Sequence, residues 1–247
     1  MAEGRASDGD VVVGRRAVVE LLRAEGSVER ILLAQDVKVA ATLTEIRRRA
    51  ARASVPLRDV PRASLDRYAP GSRHQGVVAF TTSFQYAPLE QLLESDRHLL
   101  FLDGVMDPHN VGSLLRSADG AGFGGIVLPA RRAAGITPAA RKVAAGAAET
   151  VPVARVPNLR HALEEAKNEG LWTIGLDASG ALDLWTYDPR GARLALVLGS
   201  EDRGLSRGVR EVCDETVRIT LAGRLESLNV AVAGAVAMFD FARRGTV

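Results

Sequence analysis

Apolar positions in the first third of the chain recur at helical spacing and then in short runs. Ala17, Val18, Leu21 and Leu22 fall on one face after Gly14, which predicts a helix that opens at Gly14 and ends at Gly26. Val28 to Ala34 reads as a strand, Val39 to Ala53 as a second helix and Val55 to Asp59 as a short strand. Pro61 to Tyr68 is a brief helix, and Gly76 to Phe80 returns as a strand. Together they describe a small α/β unit. Thr81 to Ser95, with a polar start, Pro88 and a turn or two of helix in LEQLLES, suits a connector between domains.

From His98 onward the alternation is regular. Strands are expected at 98–103, 125–129, 151–154, 171–176, 193–198 and 216–221, with helical segments between them. Runs such as LALVL and WTIGL are almost wholly apolar, as a sheet covered on both faces requires, and alternation with helices implies parallel pairing. The fold class is therefore α/β. Ligands of such open sheets sit beyond the carboxyl ends of the strands, so chemistry is sought in the loops after Asp103, Leu198 and Leu221.

Composition leaves this picture intact and excludes several classes. With 247 residues, 47% hydrophobic and 25% charged, the chain is neither disordered nor fibrous. It lacks an apolar run long enough to cross a bilayer, and MAEGRASDGD has no signal-like apolar stretch, so no membrane association and a cytoplasmic location are expected. The single cysteine, Cys213, and four scattered histidines offer no metal-ligand spacing, so no metal is expected.

Charge is unevenly placed despite a net of +2. Residues 11–80 carry 13 Arg and Lys against 7 Asp and Glu, whereas residues 96–247 carry 18 of each sign. Arg47, Arg48, Arg49 and Arg52 follow Glu45 at helical spacing and form a candidate RNA-phosphate ridge. The bland alternative, a solvated helix face, stands beside it.

Gly120, Gly122 and Gly125 satisfy a dinucleotide-binding pattern in the wrong order. They follow a helix and precede the strand GIVLP, so they read as a cap and an entry. Three other segments look chemical. In DGVMDPHNVGSLLRSA, Asn110 is placed to cap a helix, Gly112 leaves its first N–H groups open to an anion, and Arg116 lies about 1.7 turns on. In LGSEDRGL, Gly199 and Gly204 allow tight turns and Glu201 brings a carboxylate to the sheet edge. In ITLAGRLESLNVAV, Ser227 and Asn229 precede an apolar helix and read equally as caps or as site residues.

Taken together, the three segments resemble the three motifs of the SpoU branch of the SPOUT RNA methyltransferases. Asn110, Gly112, Arg116 and Ala118 match the first; Leu198, Gly199, Glu201 and Gly204 the second; Ser227, Leu228, Asn229 and Val230 the third. KVAAGAAETVPV and HQGVVAF extend the likeness, which is strongest to bacterial 23S rRNA guanosine 2′-O-methyltransferases. Thr220 and Leu221 depart from the usual Pro-Met, and Ala231 stands where serine is common.

The resemblance implies a trefoil-knotted parallel-sheet methyltransferase domain at 96–247, behind a ribosomal-protein-like α/β RNA-binding domain at 11–80. A flexible tail at 1–10 and a linker at 81–95 complete the division. It also implies a homodimer, ribosomal RNA as partner, and S-adenosylmethionine held around Leu198, Gly199, Ile219, Leu221 and Leu228. The implied reaction methylates a ribose 2′-hydroxyl, pointing to a guanosine of the peptidyl-transferase region. Asn110, Arg116, Glu201, Ser227 and Asn229 would be the catalytic set. Ribose methylation of tRNA and a non-catalytic role in ribosome assembly are the alternatives.

Overall fold

The computed structural model describes residues 11–23, 28–37, 40–189, 191–225 and 227–244. The tail at 1–10, the helix end at Gly26 and the helix start at Val39 lie outside them. The chain folds as two compact units that divide between Gln85 and Tyr86.

In the first unit, strands β1 (Val11–Val13), β2 (Val28–Ala34), β3 (Leu57–Val60) and β4 (Val77–Thr81) form a sheet of order β1-β4-β2-β3. Helices α1 (Arg15–Arg23), α2 (Ala41–Arg52) and α3 (Arg62–Tyr68) cover it. The run ILLA in β2 is continuous because both faces are buried. Ile31 and Leu33 pack with Val18 and Ile46 of α1 and α2, while Leu32 and Ala34 pack with Leu65 of α3. Strand β1 was not expected: three valines beside a polar tail carry too short a pattern, and antiparallel pairing with β4 makes them a strand.

The second unit begins with α4 (Leu89–Leu93), whose Leu92 and Leu93 belong to its core, so part of the expected linker is structural. Strands β5 (Leu99–Asp103), β6 (Gly125–Pro129), β7 (Val153–Val156), β8 (Trp172–Leu176), β9 (Leu182–Asp183), β10 (Leu194–Gly199) and β11 (Glu215–Arg218) follow. They form one parallel sheet of order β7-β6-β5-β10-β8-β11-β9. Between them run α5 (Pro108–Gly120), α6 (Pro138–Ala144), α7 (Ala147–Thr150), α8 (Leu159–Asn168), α9 (Arg207–Arg210) and α10 (Val230–Arg243). Gly120 ends helix α5, Gly125 opens strand β6, and Gly122 lies between them, as a cap and an entry require.

Strand β10 inserts between β5 and β8, and its carboxyl end, Gly199, registers with Asp103 of β5. The order thus reverses at β5 and β10, the kind of crevice where open α/β sheets bind ligands. After β11 on the far side of β8, the chain returns to pack α10 on α5 and β10. The strand expected at 216–221 ends at Arg218, because pairing with β8 and β9 stops there and frees Ile219 to Leu221 as loop. Among the described residues no helix is long and apolar enough to cross a membrane.

At the opposite edge, buried His98 accepts the Leu194 N–H at Nδ1, 2.9 Å away. Burial, with Arg193 beside it, holds the imidazole down to about 4. An unfolded histidine titrates near 6.5, so folding is favoured by neutral His98 above that pH, and this contribution fades as pH falls towards about 4. The shift corresponds to roughly 3 kcal/mol as an order of magnitude. Denaturant titrations at pH 7 and pH 5 should show roughly 2 kcal/mol of that loss in the native chain and a flatter response in H98Q; an equal pH dependence would refute it.

Candidate active site

Helix α5 starts at Pro108, with Asp107 as its cap: the Asp107 carboxylate accepts the His109 N–H at 2.8 Å. The sequence reading placed the cap at Asn110. Asn110 instead lies inside the first turn and is buried, because the Asp-Pro pair begins the helix three residues earlier. Gly112 is likewise not an anion site. A Cβ there would stand 2.4 Å from the Ala140 carbonyl oxygen, so the missing side chain admits α6 against α5.

Buried inward, the Asn110 amide joins two distant segments. Its Nδ2 donates to Glu201 Oε1 at 2.6 Å, and its Oδ1 accepts from Asn229 Nδ2 at 3.1 Å. Asn229 caps α10, its Oδ1 accepting the N–H groups of Ala231 at 2.9 Å and Val232 at 3.3 Å. This relay fixes both amides, since a reversed Asn110 would set its oxygen against a carboxylate. One residue from each of the three motif segments is therefore locked to the others, 91 and 119 positions apart.

Glu201 belongs to a tight loop closed by Ser200 and Gly204, which exchange backbone hydrogen bonds of 3.0 and 2.9 Å. A cavity of about 460 Å³ lies against this loop. Leu198, Gly199, Ile219, Leu221 and Leu228 all line it, as do Glu201 and Ser227. A second cavity of about 590 Å³ also borders the loop, with Asp103, Met106, Arg131, Arg132 and Arg203 in its wall. Asp103 accepts the Ser206 N–H at 2.6 Å, tying the end of β5 to the chain beyond the loop.

The residues after β8 were missed. Asp177, Ser179 and Arg210 line the first cavity, and the Asp177 carboxylate accepts from Ser179 N at 2.8 Å and Oγ at 2.7 Å and pairs with Arg210. Burial pushes the Asp177 carboxyl up, but the Arg210 and Ser179 hydrogen bonds outweigh it and leave it at about 2. The signal was present: WTIGL is a buried strand, and DAS stands at its carboxyl end.

Arg116 is not brought to the cavity. Six residues from Asn110, it sits about 240° around the helix, exposed rather than buried. Its face continues to Gly120, where an added Cβ would meet Phe239 of α10 at 3.2 Å. Phe239 and Val232 are half-exposed there.

The ridge arginines lie on α2 as expected, largely paired. Arg47 Nη2 meets Asp59 Oδ1 at 2.6 Å, and Arg48 and Arg49 both bond Glu45, holding its carboxyl below the usual range. Among the described residues no group of three or more His, Cys, Asp and Glu is gathered as a metal would require.

Comparison with known proteins places this arrangement. The substrate-binding profile of RNA 2′-O ribose methyltransferases matches residues 11–87, and the SpoU rRNA Methylase family profile matches residues 97–239. A Bacillus subtilis protein, YacO, named for TrmH family tRNA/rRNA methyltransferases, is 39% identical over 241 residues, covering 95% of this chain and 96% of its own. A similarly named Staphylococcus aureus protein is 36% identical over 240 residues, with 95% and 96% covered. The fold matches the SpoU methyltransferase AviRb from Streptomyces viridochromogenes in complex with AdoMet, at TM-score 0.63 and 24% identity, covering 96% and 90% of the two chains. An AdoMet-bound rRNA methyltransferase from Sinorhizobium meliloti aligns at TM-score 0.62 and 23% identity, covering 96% and 87%. The two profiles span most of the chain and the Bacillus subtilis relative covers 95% of it, so the chain belongs to the SpoU rRNA methylase family.

Proposed function

We propose that the protein transfers a methyl group from S-adenosylmethionine to a ribose 2′-hydroxyl of RNA, most specifically a guanosine of 23S rRNA in the peptidyl-transferase region. One observation carries the reading. The five residues expected to hold the cofactor line one cavity, against the loop that Asn110 locks to α10. The cavity fits the group: Leu198, Ile219, Leu221 and Leu228 offer apolar wall for an adenosyl moiety, while Asp177, Ser179 and Arg210 offer charged and polar partners. Its size lies within the ~300–1,000 Å³ usual for small-molecule sites. The AdoMet in the AviRb complex supports the same assignment.

When bound, S-adenosylmethionine supplies an electrophilic methyl on a sulfonium. The residues align and assist the acceptor. Asn110 and Asn229 hold the Glu201 loop to the start of α10, and Ser227 offers a hydroxyl at the cavity wall. Arg116 positions phosphate and stabilises negative charge developing on the attacking oxygen; a guanidinium, normally above about pKa 12, is a poor base near neutral pH.

Because Arg116 points away from its own cavity, it serves the partner's site in a homodimer. The exposed apolar residues Val232 and Phe239 of α10 share its surface and would be covered by that partner. The first unit, with Arg47, Arg48, Arg49 and Arg52, attracts the RNA, and the return of α10 onto α5 suits the trefoil knot of the family. Residues 11–80 and 96–247 then act as substrate and methyltransferase domains in the cytoplasm, where ribosomal RNA is found.

Purified protein given labelled S-adenosylmethionine with separated rRNA and tRNA tests the reading. Label in 23S rRNA recovered as alkali-resistant dinucleotides is expected, because a 2′-O-methyl blocks cleavage. Label on bases would overturn it. The relatives' names leave tRNA as the second reading, and label in tRNA alone would favour it.

A further inference from the structure

Two sets of arginines in the first unit differ in their counter-charges. On α2, Arg47 faces Asp59 and Arg48 and Arg49 face Glu45. Arg15, Arg16 and Arg73 instead line a cavity of about 410 Å³ whose other lining residues, among them Gly14 and Gln75, include no carboxylate. Among the described residues none of these three has an ion-pair partner; Arg15 Nε donates to the Gln75 carbonyl at 3.1 Å.

The wall carrying Arg73 is stiff. Its neighbour His74 is buried and accepts the Gly76 N–H at Nδ1, 3.1 Å away, while its Nε2 lies 3.0 Å from Asp66 Oδ1. Gln75 is thereby held between them at a φ of +53°, its carbonyl turned to Arg15. Gathering three guanidinium groups without a counter-charge costs electrostatic energy that a polyanion would offset, and their planar forks match phosphate oxygens.

Resting on the reading above, we infer that Arg15, Arg16 and Arg73 form a phosphodiester subsite for the substrate RNA backbone. The paired arginines of α2 must first exchange a carboxylate for a phosphate, so they contribute weaker, longer-range attraction. The clustered, unpaired group therefore outweighs the paired arginines of α2 in phosphate contact.

RNA binding by full-length R16A/R73A, measured over a range of salt concentrations, tests this. Arg15 is kept because it ties the turn. RNA affinity should fall at least about tenfold, and the slope of log K against log salt should decrease by about one unit per arginine removed. R16K/R73K should recover much of the binding, and S-adenosylmethionine affinity, read by calorimetry, should stay native in both. Native RNA affinity and slope in R16A/R73A would overturn the subsite. So would loss of inorganic phosphate binding with RNA binding unchanged, which would mark a free-anion site. The assay needs no methyl transfer: a protein that binds RNA through these arginines yet never methylates would refute the proposed function and leave the subsite standing.

Discussion

Replacing Arg116 by lysine is expected to lower methyl transfer about 100-fold, a barrier increase of roughly 2.7 kcal/mol, with cofactor affinity nearly native. Lysine keeps the charge but loses the planar fork that holds a phosphate and steadies the developing oxyanion together. An arginine that merely decorates the exposed side of α5 would tolerate the change. Single-turnover rates at saturating RNA and cofactor separate the two, and a near-native rate would remove Arg116 from the chemistry.

The position of Arg116 sharpens the test. Mixed dimers of an R116A chain with a G199A chain contain one site that combines an intact cavity with the partner's intact arginine. Such dimers should regain up to about half the native activity although neither parent is active. If Arg116 served its own cavity, no mixed site would be complete and nothing would be regained.

G199A is itself the second large expectation. A Cβ at Gly199 would lie 2.0 Å from the Gly204 carbonyl carbon and 2.3 Å from Leu205 N, both backbone atoms. Strand β10 is buried along all six residues and cannot retreat, so the exposed loop 200–204 must move. That breaks the paired backbone bonds of Ser200 and Gly204 and displaces Glu201 from Asn110. Overpacking of this kind costs about 1–3 kcal/mol. At the upper end the loss of S-adenosylmethionine affinity reaches roughly 100-fold. Calorimetric titration measures it, with circular dichroism checking that the sheet persists; native affinity would show that the loop does not shape the cavity.

Much of this fold was legible along the chain. Runs such as ILLA and LALVL can be continuous only where both sheet faces are covered, and the alternation from β5 onward predicted a parallel sheet. The motif spacings drew Asn110, Glu201 and Asn229 together on resemblance, and the five cavity residues followed from the same motifs. Local reasoning failed where local rules competed. Asn110 and Asp107 are both good caps, and the proline after Asp107 decided between them. Gly112 suited an anion equally well until α6 was seen against it.

The sequence by itself determined the α/β alternation, the presence of two α/β units and the family. Only the tertiary structure decided which way each group faces and what balances its charge. It set Arg116 outward, placed Asp177 with Arg210 at the cavity, and paired Arg47, Arg48 and Arg49 of α2 while leaving Arg15, Arg16 and Arg73 without carboxylates. The physical reason is that periodicity encodes burial along one element, whereas ion pairing and convergence depend on residues up to 119 positions apart.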